Sequence, residues 1–247
     1  TVSYLMAALT AVTIVLAMGM QRMVKHNAIM KKLHAVETLG STTVICSDKT
    51  GTLTQNQMTT VKMYIPGVEM TVTGEGYNPE GRVLIGENDA DLEKEPAVVR
   101  FLEIQALCND SRLEHDTADG NDVWKIMGDP TEGAMVVTAA KVGMPRELMN
   151  ERQPRLQEIP FDSKRKLMTT FHKNEKGELL AYTKGAPDIL VSLCAKIMDR
   201  DGSIRPITAK DTEEILAENK KLASQALRVL AMAFKPVNEI PENPTPE

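Results

Sequence analysis

The sequence predicts an α+β domain, a mainly antiparallel sheet flanked by helices, carried behind one apolar helix long enough to cross a bilayer. Three observations lead there. Residues 1–21 contain no Asp, Glu, Lys, Arg or His. Beyond residue 60, short β-branched and alternating runs follow one another in hairpin order. Among them lie segments of helical period at 95–107, 129–142 and 208–226, the last two with capped starts.

Composition limits the function classes. The chain has 247 residues, 42% hydrophobic and 26% charged, enough for one large domain or two small ones. A net charge of −5 gives no basic surface, so no nucleic-acid partner is expected. Cys46, Cys108 and Cys194 are too far apart for a zinc spacing or a disulfide framework, and they imply a reducing compartment.

The apolar start is followed by Arg22, Lys25, Lys31 and Lys32 before the first acid, Glu37. By the positive-inside rule that end of the helix faces the cytoplasm. A signal peptide would carry charge before the apolar run, and here the charge comes after it. A buried amphipathic helix is the other competing reading. The Pro-rich residues 241–247 read as a linker, so the sequence is expected to be part of a longer protein.

The remaining elements follow in order. Residues 25–38 should continue the first helix into water. Residues 42–46 are short, apolar and β-branched, a buried strand ending at Ser47 and Asp48. Residues 61–65 and 68–73 alternate on either side of Pro66-Gly67 and predict a hairpin. Asp129 is placed as an N-cap, with Pro130 at the first helical position and Glu132 at the third. Strands are predicted at 156–161, 167–172 and 179–183. A helix opened by Pro187 follows at 188–195, then a turn at Asp201-Gly202 and a last strand at 228–234.

The strongest motif is Asp48-Lys49-Thr50-Gly51-Thr52-Leu53-Thr54. A carboxylate at the C-terminal end of a buried strand stands where α/β sheets place ligands, and it can attack phosphorus to give an acyl-phosphate. Both partners are anionic, so magnesium and cationic side chains are needed to neutralise them. Gly51 permits close approach of backbone to phosphate.

With these residues the chain resembles the P-type ATPases, cation pumps that form an aspartyl-phosphate, whose signature residues 48–54 match throughout. The resemblance implies that Asp48 is phosphorylated and is a magnesium ligand. It also implies that Thr50 contacts the γ-phosphate and gives its carbonyl to magnesium. Soluble phosphatases with the same haloacid-dehalogenase-like core carry a second Asp two residues after the nucleophile, as general acid/base. Thr50 cannot take that role, which favours a pump over such a phosphatase.

Five further segments resemble the pumps' nucleotide domain in the same order. Cys108-Asn109-Asp110 is similar to the calcium-pump-like subgroup. Gly128-Asp129-Pro130-Thr131-Glu132 implies that Glu132 meets the adenine amino group. Phe161-Asp162-Ser163-Lys164-Arg165-Lys166 implies that Phe161 stacks on adenine and Lys166 contacts the nucleotide. Lys184-Gly185-Ala186-Pro187 implies that Lys184 lies at the pocket base, and Leu227-Arg228 that Arg228 reaches the phosphates. The chemistry suits each role: an aromatic face for a base, three cations for a polyphosphate, a carboxylate for an amine. Calcium-pump relatives often carry Arg where this chain has Ser163.

The Pro-Glu-Gly-Leu break of the family's fourth membrane helix aligns with Met6-Ala7-Ala8-Leu9, so no transport residue is assigned. The acid-rich stretches 88–93 and 116–122 lack the spacing of a calcium loop, and the four histidines form no ligand set.

The resemblance thus implies five parts. Residues 1–24 end a membrane helix, and 25–40 form a cytoplasmic stalk. Residues 41–56 begin a haloacid-dehalogenase-like α/β phosphorylation domain. Residues 57–236 form an α+β nucleotide-binding domain inserted in it, and 237–247 return to it. ATP and Mg2+ are the expected cofactors. The expected partners are the membrane, the rest of a multi-pass pump and a transported cation, with calcium favoured and sodium, potassium and proton left open. A non-catalytic nucleotide-binding fragment is the alternative within the same family.

Overall fold

The computed structural model describes residues 2–117 and 122–240. Residues 118–121, inside one acid-rich stretch, and 241–247, the greater part of the expected 237–247 linker, lie outside the described residues. The chain forms two compact units, residues 1–55 and 56–247.

The first unit opens with α1 (Val2–Val24), a helix long and apolar enough to cross a membrane. It runs unbroken through Met6-Ala7-Ala8-Leu9, where Thr10 and Thr13 donate their hydroxyls to the carbonyls of Met6 and Leu9. The expected continuation through residues 25–38 is corrected here. Asn27 takes the left-handed conformation (φ 60°), Ala28 N–H bonds back to Met23, and Asn27 N–H bonds to Val24. This is a Schellman stop, which Asn tolerates better than most residues. The chain restarts as α2 (His34–Gly40).

The expected strand at 42–46 is also corrected. Residues 42–48 are exposed and form no strand pairing among the described residues. A β-branched run becomes a strand only when a neighbour takes its backbone groups.

Among the described residues the second unit carries two four-stranded antiparallel sheets and two ribbons. In the first sheet, β1 (Lys62–Ile65), β2 (Val68–Val72), β3 (Val83–Ile85) and β4 (Asn88–Asp89) lie in sequence order. Alternation sets its faces: Val68, Met70 and Val72 are buried while Glu69 and Thr71 are exposed. The register Met63↔Met70 and Ile65↔Val68 puts the apolar residues of both strands on one side.

The second sheet runs β12 (Ala231–Val237), β9 (Leu179–Gly185), β8 (Leu167–Lys173), β7 (Arg155–Asp162). Its central strand β8 is buried from Leu167 to His172. Helices α3 (Pro96–Leu107) and α6 (Pro187–Ser192) pack on the second sheet; α4 (Pro130–Lys141) and α5 (Arg146–Arg152) pack against α3, and α7 (Ala209–Ser224) against α6. One core unites Val98, Leu102 and Leu107 of α3 with Met63, Met70, Met168, Leu180 and Tyr182 of the sheets.

Two ribbons, β5–β6 (Arg112–Asp116, Val123–Met127) and β10–β11 (Lys196–Met198, Ile204–Pro206), complete the unit. The last strand begins at Ala231 rather than 228, so Arg228 belongs to the segment before it. Helix α7 starts where expected, with Thr208 and Asp211 capping each other reciprocally.

Candidate functional site

The second unit brings separate segments together around the start of α4. Asp129 caps the helix, its carboxylate accepting from the N–H groups of Thr131 (2.8 Å) and Glu132 (3.2 Å). Burial alone would raise the Asp129 carboxyl. Hydrogen bonds from Thr131 and Glu132, with the nearby positive charge of Arg228, outweigh it and hold the group below its ordinary value.

Glu132, in the first turn of α4, is the centre of the constellation. Its Oε1 accepts from Lys184 Nζ at 2.6 Å. Its Oε2 accepts from the backbone N–H groups of Asp110 (3.0 Å) and Ser111 (3.2 Å). Both side chains are largely buried, Lys184 being 7% and Glu132 17% exposed. A buried charge is tolerated only with such partners. The ion pair joins the end of β9 to the start of α4, and a carboxylate here also complements the helix dipole.

The Cys108-Asn109-Asp110 segment closes one side. Cys108 is fully buried and donates its thiol weakly toward the carbonyls of Tyr182 and Met168; burial pushes the thiol pKa up. Ser111 Oγ donates to the Asp129 carbonyl at 3.0 Å. Gly128 (φ 128°) is required at this contact, because a Cβ there would lie 2.4 Å from Ser111 Oγ.

The Phe161–Lys166 segment closes another side. Phe161, at the end of β7, is 62% exposed, so its ring faces solvent instead of filling the core. The turn after it is tied by Asp162, whose Oδ1 accepts from the N–H groups of Lys164 (2.6 Å) and Arg165 (3.0 Å). Those bonds hold the Asp162 carboxyl below its usual range. Lys166 is exposed, with φ 56°, and its carbonyl accepts from Ala186 N–H at 3.1 Å. A Cβ on Gly185 would stand 2.1 Å from that carbonyl. Glycine at 185 is therefore what lets the Phe161–Lys166 turn rest on the end of β9 beside Lys184.

Arg228 is exposed, and its charge is felt at Asp129. It also borders a separate cavity of about 940 Å³ whose walls include Met63, Ile104, Leu190, Met232 and Phe234. Glu132, Phe161, Lys166 and Lys184 do not line that cavity.

Asp48 and Thr50 belong to the first unit. Asp48 is exposed and extended (φ −72°, ψ 151°), and its carboxylate accepts from Lys49 N–H at 2.7 Å. Thr50 (−80°, 122°) and Gly51 (74°, −2°) form a type II turn. Thr54 closes the loop, its N–H donating to the Lys49 carbonyl at 3.1 Å. The expectation that Asp48 ends a buried strand is thus replaced by an exposed loop.

Residue-type reasoning missed Asn109, Ser111, Arg146 and Arg155 as parts of the constellation. The Asn109 carbonyl accepts from Arg146 (3.0 Å) and Arg155 (3.5 Å), and Arg155 also pairs with Asp110 (2.7 Å). The signal was present in Cys108-Asn109-Asp110, but nothing in sequence shows that an Asn will be fully buried.

The chain is similar to known proteins over most of its length. Residues 97–246 match the family model described as P-type ATPase, cytoplasmic domain N. A calcium-transporting ATPase of Bacillus subtilis is 41% identical over 226 residues, covering 92% of this chain and 25% of the relative. The cation-transporting ATPase pma1 of Synechocystis is 42% identical over 231 residues, covering 92% and 24%. Calcium-transporting ATPase 1 of Lactococcus lactis is 40% identical over 230 residues, covering 93% and 23%. The chain spans about a quarter of the length of these curated relatives.

Proposed function

Because the chain belongs to the P-type cation-transporting ATPases and carries their cytoplasmic N domain, we propose that its second unit binds ATP and its first supplies the phosphoryl acceptor, Asp48. The observation that carries this reading is the Lys184–Glu132 pair at 2.6 Å, which joins two of the nucleotide-domain motifs across 52 residues of sequence.

In the pocket, Phe161 offers an exposed face for the adenine ring. Glu132 accepts from the exocyclic amine, and Lys184 forms the base of the site. Lys166 and Arg228 are exposed cations suited to the phosphates. Ser163 leaves the phosphate side short of one guanidinium relative to calcium-pump relatives.

In the whole protein, an Asp48 carboxylate oxygen attacks the γ-phosphorus in line. The bond to the β–γ bridging oxygen breaks, its electron pair leaves with ADP, and an acyl-phosphate remains on Asp48. Asp48 and the Thr50 carbonyl are hard oxygen donors on one short loop, a set that suits magnesium when phosphates complete its shell. Magnesium there would neutralise phosphate charge. Thr50 cannot serve as a general base at neutral pH, so this loop does not itself hydrolyse the acyl-phosphate.

The five-part organisation follows from the same reading. Residues 1–24 end a membrane helix, 25–40 are a stalk, and 41–56 begin a haloacid-dehalogenase-like phosphorylation domain. Residues 57–236 are the nucleotide-binding insertion, and 237–247 return. Support comes from residues 42–46, an apolar β-branched run without a strand partner among the described residues. Such a run suits a sheet completed by other parts of the protein. The whole protein is read as a multi-pass membrane pump that moves a cation. Calcium is favoured, since two of the three relatives above carry that name.

Calorimetric ATP titration of the 247-residue chain in detergent tests the pocket. Saturable binding is expected, weakened about tenfold by Phe161→Ala through loss of base stacking and also weakened by Lys184→Ala. A folded wild-type chain that does not bind ATP at millimolar concentration would overturn the reading.

A further inference from the structure

Asn109 is completely buried, and its side chain and carbonyl are all engaged. Its Nδ2 donates one hydrogen to the Gln105 carbonyl (3.1 Å) and the other to the Glu132 carbonyl (2.9 Å). Its Oδ1 accepts from Ser111 N–H at 2.9 Å, a donor shared with Glu132 Oε2 at 3.2 Å. Its carbonyl is held by the guanidinium groups of Arg146 and Arg155. The side chain thus ties the 109–111 turn to the start of α4, and the arginines fix the turn from outside.

This geometry determines what Glu132 has left to offer. A carboxylate has about four acceptor sites, two on each oxygen. The 109–111 turn presents two backbone donors to Oε2, from Asp110 and Ser111, while the Ser111 hydroxyl lies 3.4 Å from Oε2 and closer, at 3.0 Å, to the Asp129 carbonyl. Lys184 takes one site on Oε1. One acceptor site remains, on Oε1, next to an ammonium group.

We propose that Asn109 is a positioning residue that sets nucleobase choice by holding the 109–111 turn, whose two N–H groups orient the Glu132 carboxylate so that its free Oε1 acceptor meets a base carrying an exocyclic amine. This rests on the nucleotide-pocket reading above. Adenine has a donor at C6 to meet that acceptor. Hypoxanthine has a carbonyl there, which would face a carboxylate oxygen with no hydrogen between them.

The test is the ratio of ATP to ITP affinity, measured by calorimetry on the 247-residue chain in detergent. The wild type is expected to favour ATP by about tenfold to a hundredfold, the range for a hydrogen bond to a charged group. Asn109→Asp keeps the shape and the acceptor for Ser111 but removes both Nδ2 donors. It is expected to bring the two affinities within about threefold by weakening ATP while leaving ITP nearly unchanged. A purely structural role would lower both affinities together and keep the ratio.

Asn109 is buried, and should Asn109→Asp fail to fold, Arg155→Gln decides. It frees the same turn from a partly exposed position and is expected to lower the ratio by about half or more. Wild-type binding without an ATP preference overturns the proposal, as does an unchanged ratio in a folded variant, while both leave nucleotide binding itself intact. A folded wild type that binds neither nucleotide overturns the pocket reading and this proposal together.

Discussion

Lys184 and Glu132 meet at 2.6 Å from opposite ends of a 52-residue separation, one at the close of a central strand and the other in the first turn of a helix. Neither could be so withdrawn from water alone. Removing the lysine leaves Glu132 with its backbone donors but without its counter-charge. Lys184→Ala is therefore expected to lower unfolding stability by about 3 kcal/mol. Urea denaturation of wild type, Lys184→Met, Glu132→Gln and the double variant should give a coupling energy of about 1–3 kcal/mol. Additivity would mean that the pair holds nothing together.

Close approach at Gly185 gives a second expectation. A Cβ at 185 collides with the Lys166 carbonyl and the Leu167 side chain, and the carbonyl is backbone that cannot rotate away. Gly185→Ala should cost about 2 kcal/mol and displace the turn behind Phe161. Thermal melts and ATP titration should both register it. A variant with wild-type stability and affinity would show that the turn is free to move.

His172 gives the pH dependence. It is fully buried, with Nδ1 against the Gln153 carbonyl (3.0 Å) and Nε2 against Thr170 Oγ1 (2.9 Å). Burial, helped by the charges of Arg155 and Arg146, outweighs the Gln153 hydrogen bond and lowers its pKa to about 4. The unfolded chain, with an ordinary pKa of about 6.5, takes up a proton that the fold resists. The resulting penalty is absent above that pH and grows as pH falls toward 4, reaching on the order of 3 kcal/mol. Urea midpoints measured from pH 7 to 4.5 should fall, and His172→Gln should flatten that part of the profile. An equal slope in both proteins would assign the acid sensitivity to other groups.

The fold was legible in sequence where a residue acts on its own neighbours. Asp129 before Pro130, Thr208 with Asp211, and the alternation through Val68, Met70 and Val72 each state a local structure, and each is found. The helix stop at Asn27 is a local feature that the charged, helix-compatible run concealed; the other failures depended on distant partners. Residues 42–46 have strand chemistry but no strand beside them among the described residues. The β5–β6 ribbon was hidden because Leu113 and Ile126, and His115 and Trp124, face each other across a charged stretch that reads as loop. The motifs single out Glu132 and Lys184; the role of Asn109 beside them is visible only in its burial and its bonds.

Asp48 and Thr50 share one short loop. Its type II turn presents Thr50 two residues beyond the proposed acceptor, with ordinary extended dihedrals that an aspartate can adopt. Expressed within the full-length protein and supplied with radiolabelled ATP, the wild type should accumulate an acid-stable, hydroxylamine-sensitive phosphoenzyme, and Asp48→Asn should form none. Thr50→Asp places a carboxylate where it can take a proton from attacking water. General base assistance of this kind is worth about 10²–10⁴ in rate. The phosphoenzyme of Thr50→Asp should therefore decay faster than that of the wild type, and that of Thr50→Asn should not. Equal decay of the Asp and Asn variants would mean that the identity of residue 50 does not set the lifetime of the intermediate, which would then rest on the exclusion of water by other parts of the protein.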